Sequence, residues 1–474
     1  MPPEATDFFL LGHALAARQD LPLPEWLFVW GASIVLIVSF ALLGLAWRRP
    51  RLEGDTWWPA PARLSGALTG RVAETLAGAA GVFLLGVVVW AGLEGSDAPD
   101  QNFALTFVYV TFWLGGVLLS VLFGDVMRAF NPWRAIGRAT GAAYAAAAGG
   151  RPFEPLEYPE RLGRWPAAAG ILAFIWMELI YGAGGITGAS LTPHIAAVAT
   201  LLYTLYALGG MYVFGVERWC DRGEAFAVYF NMYSRLAPVE VRGSAAGERR
   251  LGFRRPLAGT VGWAAVPGSL ALLVVAIGGT TFDGAQEGLL SSPINSVFDW
   301  LLDAGLGADA ALRITQTAFL ALTLAVVAGV FLLGVRGMHT VRGSPPLAAL
   351  RRALAPTLLP IALAYLVAHY FSFFVFQEQA QFTFLLSDPL GNGSDYFGTA
   401  SAGIDYTWIS ANGIWYVQVG ALVIGHVAGL VLGHDKALAL YGDPKRASRS
   451  QQWMLAMMVL FTCTGLLLLL QANA

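Results

Sequence analysis

Four side chains that can carry a charge lie inside long apolar stretches of this 474-residue chain. Glu178 lies within AFIWMELIYGAG, His369 within LAYLVAHYFSFFVF, His426 within ALVIGHVAGLVLGH and Asp125 within SVLFGDVMRAFNPWR. An ionisable group at membrane depth is costly, so each is a candidate functional residue. Carboxyl and imidazole groups exchange protons and bind metal ions, which indicates acid–base or metal-assisted chemistry.

A second group of polar residues is predicted just beyond His369, at the outer end of the apolar stretches. The segment GGTTFDG contains Asp283 and is predicted to be a tight turn, SDPLGNGSDYFGT contains Asp395, and Glu378 follows His369. Together they could form a His/carboxylate site that holds a divalent metal ion and activates water. For SDPLGNGSD, a chain of ordinary Asx, Pro and Gly turns is the alternative.

Each buried residue also has a purely structural interpretation. His369 and His426 could be hydrogen-bond partners between helices. Glu178 could be a protonated acid bonded to a tyrosine, and Asp125 could pair with an arginine such as Arg128, which is three residues away on the same helix.

Depth along the helices limits which of these groups can meet. At 1.5 Å per residue, His369 lies roughly 24 Å above the inner end of its helix, Glu178 roughly 18 Å and His426 roughly 10 Å. The two histidines are therefore not expected to bind one metal ion, whereas Glu178 could pair with either.

The elements that must position these residues are membrane-spanning helices. The chain is 56% hydrophobic and only 13% charged, whereas soluble domains are about 25% charged. Because a helix needs about 20 apolar residues to cross a bilayer, we predict an all-α, polytopic transmembrane helix bundle, with residues 1–474 as one integral membrane domain. The ten predicted spans lie near 24–47, 72–93, 103–127, 166–185, 193–216, 257–278, 313–334, 353–376, 411–433 and 453–471.

The basic residues predict the orientation of these spans. Of 29 Lys and Arg residues, all but Arg18 and Arg313 fall in the five loops that follow odd-numbered spans. The positive-inside rule therefore predicts that these loops are cytoplasmic and that both termini lie outside. The longest outer loops are then 279–312, with an amphipathic helix near 292–305, and 377–410. A lipid bilayer is the expected environment, specifically a bacterial plasma membrane.

Composition also excludes several classes of protein. A net charge of −2 argues against a nucleic-acid partner, and the two cysteines have neither disulfide-framework nor metal-site spacing. The chain contains no HExxH, Walker A, nucleophile-elbow or EF-hand motif. The cofactor therefore stays unknown, and a divalent metal ion is the candidate left open.

Six stretches carry a resemblance to a known family: ARQDLPLPEWLFVWGASIVLIVSF (17–40), FGDVMRAFNPWRAIGR (123–138), GGTTFDG (278–284), LPIALAYLVAHYFSFFVFQEQ (359–379), LSDPLGNGSDYFGT (386–399) and VGALVIGHVAGLVLGHDKAL (419–438). Together they resemble the polytopic bacterial membrane proteins known as fenitrothion hydrolase. The resemblance implies hydrolysis of an organophosphorus triester at the P–O-aryl bond, a small apolar substrate and a second membrane subunit as partner. It carries over no catalytic residue.

Two hypotheses of function follow. The first is a metal-assisted hydrolase acting at the outer membrane face. The second is a proton- or cation-coupled transporter, or a non-catalytic subunit, in which the charged groups at staggered depths form a relay. The catalytic candidates are His369, Asp283, Glu178 and His426, and the candidate metal ligands are His369, Asp283, Asp395 and Glu378.

Overall fold

The computed structural model describes residues 25–54, 56–182, 191–243 and 249–471. Within these ranges the chain is a bundle of helices, and eight helical segments are long and apolar enough to cross a membrane. Two shorter apolar helices, Trp30–Ala46 and Trp165–Tyr181, coincide with the first and fourth predicted spans. The all-α bundle is thus confirmed, while the number of ten spans and their orientation stay predictions.

Every predicted span overlaps a helix of the bundle, but the sixth was placed too early, at 257–278, because the corresponding helix begins only at Ser269, after Pro267 and the left-handed Gly268. Residue 24 of the first predicted span and residues 183–185 of the fourth lie outside the described ranges. The helices are α1 (Glu25–Ala46), α2 (Arg71–Glu94), α3 (Phe103–Phe123), α4 (Trp165–Tyr181), α5 (Pro193–Phe214), α6 (Ser269–Gln286), α7 (Ala308–His339), α8 (Leu359–Phe382), α9 (Ala411–Tyr441) and α10 (Gln452–Gln471).

Shorter helices connect the long ones. Parts of α3 and α4 wind as π-helix, over Phe107–Gly115 and Met177–Tyr181. The predicted amphipathic helix of the first long outer loop is confirmed at Ser291–Asp303. The other short helices are Ala62–Thr69, Met127–Phe130, Pro132–Ala147, Val216–Arg222, Ala225–Ser234, Ala258–Val261, Leu347–Leu354, Ala355–Leu358 (a 3₁₀ turn), Phe384–Ser387 and Pro444–Ser450.

A small antiparallel sheet lies among the loops on the basic face of the bundle and was not expected from the sequence. Its strands are β1 (Trp57–Pro59), β2 (Val239–Gly243) and β3 (Arg249–Arg254), in the order β1-β3-β2. Phe253 of β3 lies opposite Trp58 on one side and Val239 on the other. The sheet therefore joins two loops that are far apart in the chain.

Helix α6 forms the centre of the half of the bundle that holds the candidate site. It packs against α4, α7 and α8 and is buried almost all around from Leu272 to Ala285, as expected of a helix that is apolar on every face. Helix α8 packs most extensively on α9. A side chain at Gly425 would lie 2.3 Å from the Ala364 Cβ, so glycine allows this close approach.

The lipid-facing surface is formed by the outer helices. Helix α7, for example, exposes Leu322, Val326 and Leu333 along its length. Apolar side chains exposed in this number indicate a bilayer environment.

The segment GGTTFDG corrects one prediction. It is helical rather than a turn, because α6 continues to Gln286. The Thr281 hydroxyl donates to the Ile277 carbonyl at 2.8 Å, and burial against neighbouring helices outweighs the low helix propensity of Gly and Thr. Asp283 is consequently held on a rigid, buried helix.

Candidate functional site

Asp283 is the centre of a polar cluster near the C-terminal end of α6, which the predicted orientation places outside. Its Oδ2 atom accepts a hydrogen bond from the Tyr370 hydroxyl at 2.7 Å and lies 2.7 Å from His369 Nε2. Its Oδ1 atom accepts a bond from Gln286 Nε2 at 3.0 Å. Only 8% of the Asp283 side chain is exposed. These hydrogen bonds therefore replace those that water would make to the carboxylate, as burial of a charged group requires. We refer to Asp283, His369, Tyr370, Gln286 and Glu178 as the outer cluster.

His369 and Tyr370 reach Asp283 from α8, which packs directly on α6. Because a carboxylate only accepts hydrogen bonds, the contact to His369 requires a proton on Nε2. This is the arrangement by which a carboxylate sets the tautomer and orientation of a histidine. The His369 side chain is 15% exposed, so the imidazole is oriented without being sealed from its surroundings.

The next residue on α6 leaves space beside the imidazole. A Cβ atom at Gly284 would lie 3.4 Å from His369 Nδ1. A glycine here keeps that side of the ring clear of any side chain from α6, whereas a larger residue would cover it.

Glu178 approaches the cluster from α4, within the π-helical stretch Met177–Tyr181. It is buried, and among the described residues its Oε2 atom has no hydrogen-bond partner. It lies close enough to Asp283 and Tyr109 for their charges to interact. Two acids are thus gathered in one buried place, and π-helical distortions are frequent at functional sites.

Glu287 adds a third carboxyl group just above the membrane-spanning part of α6. Burial raises the pKa of Glu287, and the negative charge of Asp283 raises it further, while His369 opposes this effect. Protonation of Glu287 is therefore favoured more than in an exposed acid. The charges of Glu287, Asp283 and His369 therefore influence one another at this end of α6.

An aromatic wall encloses the cluster on the side of α3. Trp113 packs edge-on against Tyr370 with ring centroids 5.2 Å apart, and its indole N–H donates to the Tyr229 hydroxyl at 3.2 Å. Tyr229 lies on the helix Ala225–Ser234. Its aromatic residues are buried against the bundle.

A large apolar cavity adjoins this wall. Its volume is about 620 Å³, within the range of small-molecule sites. It lies between α2, α3, α4 and α5, and Tyr109 and Met177 line it beside Glu178. No residue of the outer cluster lines it, but Phe174, which does, packs edge-on against Trp113 with ring centroids 5.4 Å apart. The cavity could therefore hold an apolar molecule beside the aromatic wall.

Two of the predicted metal ligands lie away from His369. Glu378 is nine residues further along α8, about 14 Å along the axis, and accepts a hydrogen bond from the Thr111 hydroxyl at 3.2 Å. Asp395 is exposed and accepts from the Ser387 hydroxyl and the Ala400 N–H. These bonds lower the pKa of Asp395 and fit the alternative of an ordinary turn.

The described residues do not assemble a metal centre. Across these parts of the chain, no three His, Cys, Asp or Glu side chains are grouped so that they could hold a metal ion. The predicted set of His369, Asp283, Asp395 and Glu378 is therefore reduced to the single pair His369 and Asp283.

His426 and Asp125 also lie apart from the outer cluster. His426 is fully buried on α9, its Nδ1 lies 2.7 Å from the Leu422 carbonyl oxygen, and its Nε2 has no partner in the described ranges. Asp125 accepts a hydrogen bond from Asn231 at 2.7 Å on the basic face, where Arg128 pairs with acids of another helix. Neither residue completes a chain of charged groups with His369.

Sequence reasoning missed Tyr370, Gln286 and the aromatic wall. Two signals were present, since Tyr370 directly follows His369 and Gln286 lies one helical turn after Asp283. Both would have been useful only if GGTTFDG had been recognised as helical.

Comparison with known proteins adds no family assignment. No family model matches the chain, and no curated protein or solved structure is significantly similar to it.

Proposed function

We propose that this protein is a membrane-embedded hydrolase of small apolar esters, with organophosphorus triesters as the substrate class that the family resemblance implies. The observation that carries the proposal is the 2.7 Å contact between Asp283 and His369, which leaves the imidazole partly exposed. A carboxylate-oriented histidine is a general base for water.

The chemistry assigns a role to four of the five residues of the outer cluster. His369 accepts a proton from water, whose oxygen bonds to the phosphorus atom as the P–O-aryl bond breaks. The proton then passes to the departing aryloxide. Asp283 holds the imidazole and stabilises its positive charge, while Tyr370 and Gln286 hold Asp283 in place.

The apolar cavity supports a substrate that arrives from the bilayer. Aryl phosphotriesters are neutral and partition into hydrocarbon, and the cavity beside Tyr109 and Met177 is lined almost entirely by apolar groups. Its volume of about 620 Å³ is sufficient for such a molecule. Substrate could therefore enter the bundle from the bilayer at this cavity, where Phe174 packs edge-on against Trp113 of the aromatic wall.

A metal ion has no part in this mechanism. His369 contacts the carboxylate of Asp283, and among the described residues no three His, Cys, Asp or Glu side chains are grouped so that they could hold a metal ion, whereas a catalytic zinc site uses three protein ligands. No step is accordingly assigned to a metal.

The test is the hydrolysis of fenitrothion by the full chain in nanodiscs, followed by nitrophenol absorbance with and without a chelator. We expect turnover that the chelator leaves unchanged and that His369→Ala abolishes. Asp299→Asn is the matched control, since Asp299 is an exposed acid on the outer helix Ser291–Asp303. Turnover that survives His369→Ala would overturn the assignment.

Proton-coupled transport is a second candidate, favoured by one observation. Glu178 is a buried acid whose Oε2 atom lacks a partner among the described residues, and it lies beside Asp283. Such a pair could exchange a proton with a passing substrate. No hydrolysis, together with proton flux in proteoliposomes that Glu178→Gln abolishes, would support transport. A chain inactive in both assays would instead be a non-catalytic subunit.

A further inference from the structure

A second cavity lies on the basic face, at the opposite end of the bundle from the outer cluster. Its volume is about 740 Å³, and we refer to it as the basic pocket. Nine arginines and five carboxylates line it, so its wall carries an excess of positive charge.

Most of the carboxylates are already engaged by some of these arginines. Arg128 pairs with Glu217 and with Asp221, the latter at 2.8 Å. Arg134 pairs with Glu74 at 2.7 Å. These ion pairs hold the lining of the basic pocket together, and they leave the remaining arginines of the lining without a carboxylate partner.

Four arginines of the pocket make no ion pair within the described ranges, namely Arg164, Arg218, Arg222 and Arg235. Arg218 is exposed, whereas the other three are buried or half-buried and come from three separate segments. Asp221, which acts on Arg164, is itself bonded to Arg128. The arginines are close enough to repel, since burial, and then Arg222 and Arg235, lower the pKa of Arg164 to about 10.

Buried donor atoms without acceptors point to the same place. Arg164 is 8% exposed and donates to the Ala264 carbonyl and the Ser269 hydroxyl, yet its Nε–H finds no acceptor among the described residues. The same part of the chain offers no acceptor to the buried Arg235 Nε–H and Trp263 indole N–H. Buried donors left unpaired are costly, and all three residues line the pocket.

We propose that the basic pocket binds a phosphate-bearing anion, held by Arg164, Arg222 and Arg235. Guanidinium groups bind phosphate oxygens in pairs of hydrogen bonds, and an anion would relieve the repulsion between them. The cavity is larger than inorganic phosphate requires, so the ligand is an organic phosphate. It is either a soluble molecule of nucleotide size or the headgroup of an anionic phospholipid. This inference does not depend on the proposed hydrolase function.

The test uses the full chain in phosphatidylcholine nanodiscs, titrated with pyrophosphate by calorimetry, and in nanodiscs that also contain phosphatidic acid, analysed by native mass spectrometry. We expect saturable binding that Arg222→Gln or Arg235→Gln weakens at least about tenfold. Arg351→Gln is the control, because Arg351 is an exposed arginine of the helix Leu347–Leu354 and does not line the pocket.

The pyrophosphate titration and the phosphatidic acid experiment distinguish a soluble phosphate ligand from a phospholipid headgroup. Binding of pyrophosphate in neutral lipid would identify a soluble ligand, and arginine-dependent retention of phosphatidic acid alone would identify a lipid. Thermal unfolding checks that the variants fold, and we expect their unliganded midpoints to equal or exceed that of the parent because repulsion is reduced. No binding in either arm, or equal weakening by Arg351→Gln, would overturn the proposal.

Discussion

The outer cluster and the basic pocket handle buried charge in opposite ways. In the outer cluster, Asp283 is held by one histidine and by the neutral groups of Tyr370 and Gln286. In the basic pocket, charged groups pair mostly with one another, as Arg134 does with Glu74 and Glu217. A charged group that is hydrogen-bonded mainly to neutral side chains can still exchange a proton. A network of ion pairs instead holds the side chains, and the segments that carry them, in place.

From this difference we expect some substitutions to affect turnover and others to affect the stability of the fold. Changes in the outer cluster should reduce turnover and leave the fold intact. Changes in the ion pairs of the basic pocket should lower stability and leave turnover intact. Each prediction below tests one side of this contrast.

The largest effect is expected from Asp283→Asn. The amide keeps the size of the side chain but cannot stabilise a positively charged imidazole, so turnover should fall by about 10³–10⁴-fold. Nitrophenol release measures the rate, and the thermal midpoint should change little. A variant with near-normal turnover would remove Asp283 from the mechanism.

Tyr370→Phe should have a smaller effect on the same reaction. It removes one hydrogen bond to Asp283 at 2.7 Å, and hydrogen bonds to charged groups contribute about 1.5–3 kcal/mol. We expect turnover to fall by about 10- to 100-fold, mainly in kcat, because Tyr370 positions the dyad. Tyr416→Phe, an exposed tyrosine on α9, is the control and should have normal activity.

Glu217→Gln tests the opposite side of the contrast. Glu217 contacts Arg128, Arg134 and Arg138, and Arg134 is nearly inaccessible to solvent. Because Glu217 itself is 45% exposed, solvent screening limits the loss to about 1–2 kcal/mol of unfolding free energy. The thermal midpoint should fall while fenitrothion turnover stays normal. A loss of turnover in a folded variant would contradict the separation of the two regions.

The smallest expected effect is the pH dependence of the stability that Glu217→Gln loses. Burial alone would raise the pKa of Glu217, but Arg134, Arg128 and Arg138 outweigh it and lower the pKa below 4.5. A lowered pKa stabilises the fold above the unfolded-state pKa, and this contribution disappears as pH falls through the folded-state pKa. The difference in thermal midpoint between parent and Glu217→Gln should therefore narrow below about pH 4.5. A difference that widened with acid would contradict the ion-pair assignment.

The sequence was most informative about the bundle itself. Long apolar stretches are informative because a single segment can satisfy its backbone in lipid only as a helix, and each predicted span overlaps a helix, although the sixth does so only from Ser269 onward. Helix ends were less certain. Gly278, Thr281 and Gly284 predicted a turn, but neighbouring helices bury this stretch and keep it helical.

The candidate site was predictable only in part. His369 and Asp283 were expected to lie together, and they do. Their connection to Tyr370, and the distance of Glu378 and Asp395 from them, depend on the rotation of α6 and α8 about their axes. Weak amphipathic patterns do not fix that rotation when a helix is apolar on every face.

The basic pocket was beyond sequence reasoning for a related reason. The positive-inside rule accounts for arginines on one face, but it does not say which of them find partners. That outcome depends on how residues 128–164 and 217–256 fold into short helices and a sheet, and on which carboxylates they bring to Arg164.

The central claim is that Asp283 and His369 act as one catalytic unit, and a double-mutant cycle on fenitrothion turnover tests it most directly. Groups that act together are strongly non-additive. We expect Asp283→Asn/His369→Ala to be no slower than the slower of the two single variants. If the two losses multiplied in the double variant, or if either single variant kept full turnover, the two residues would not form a catalytic dyad.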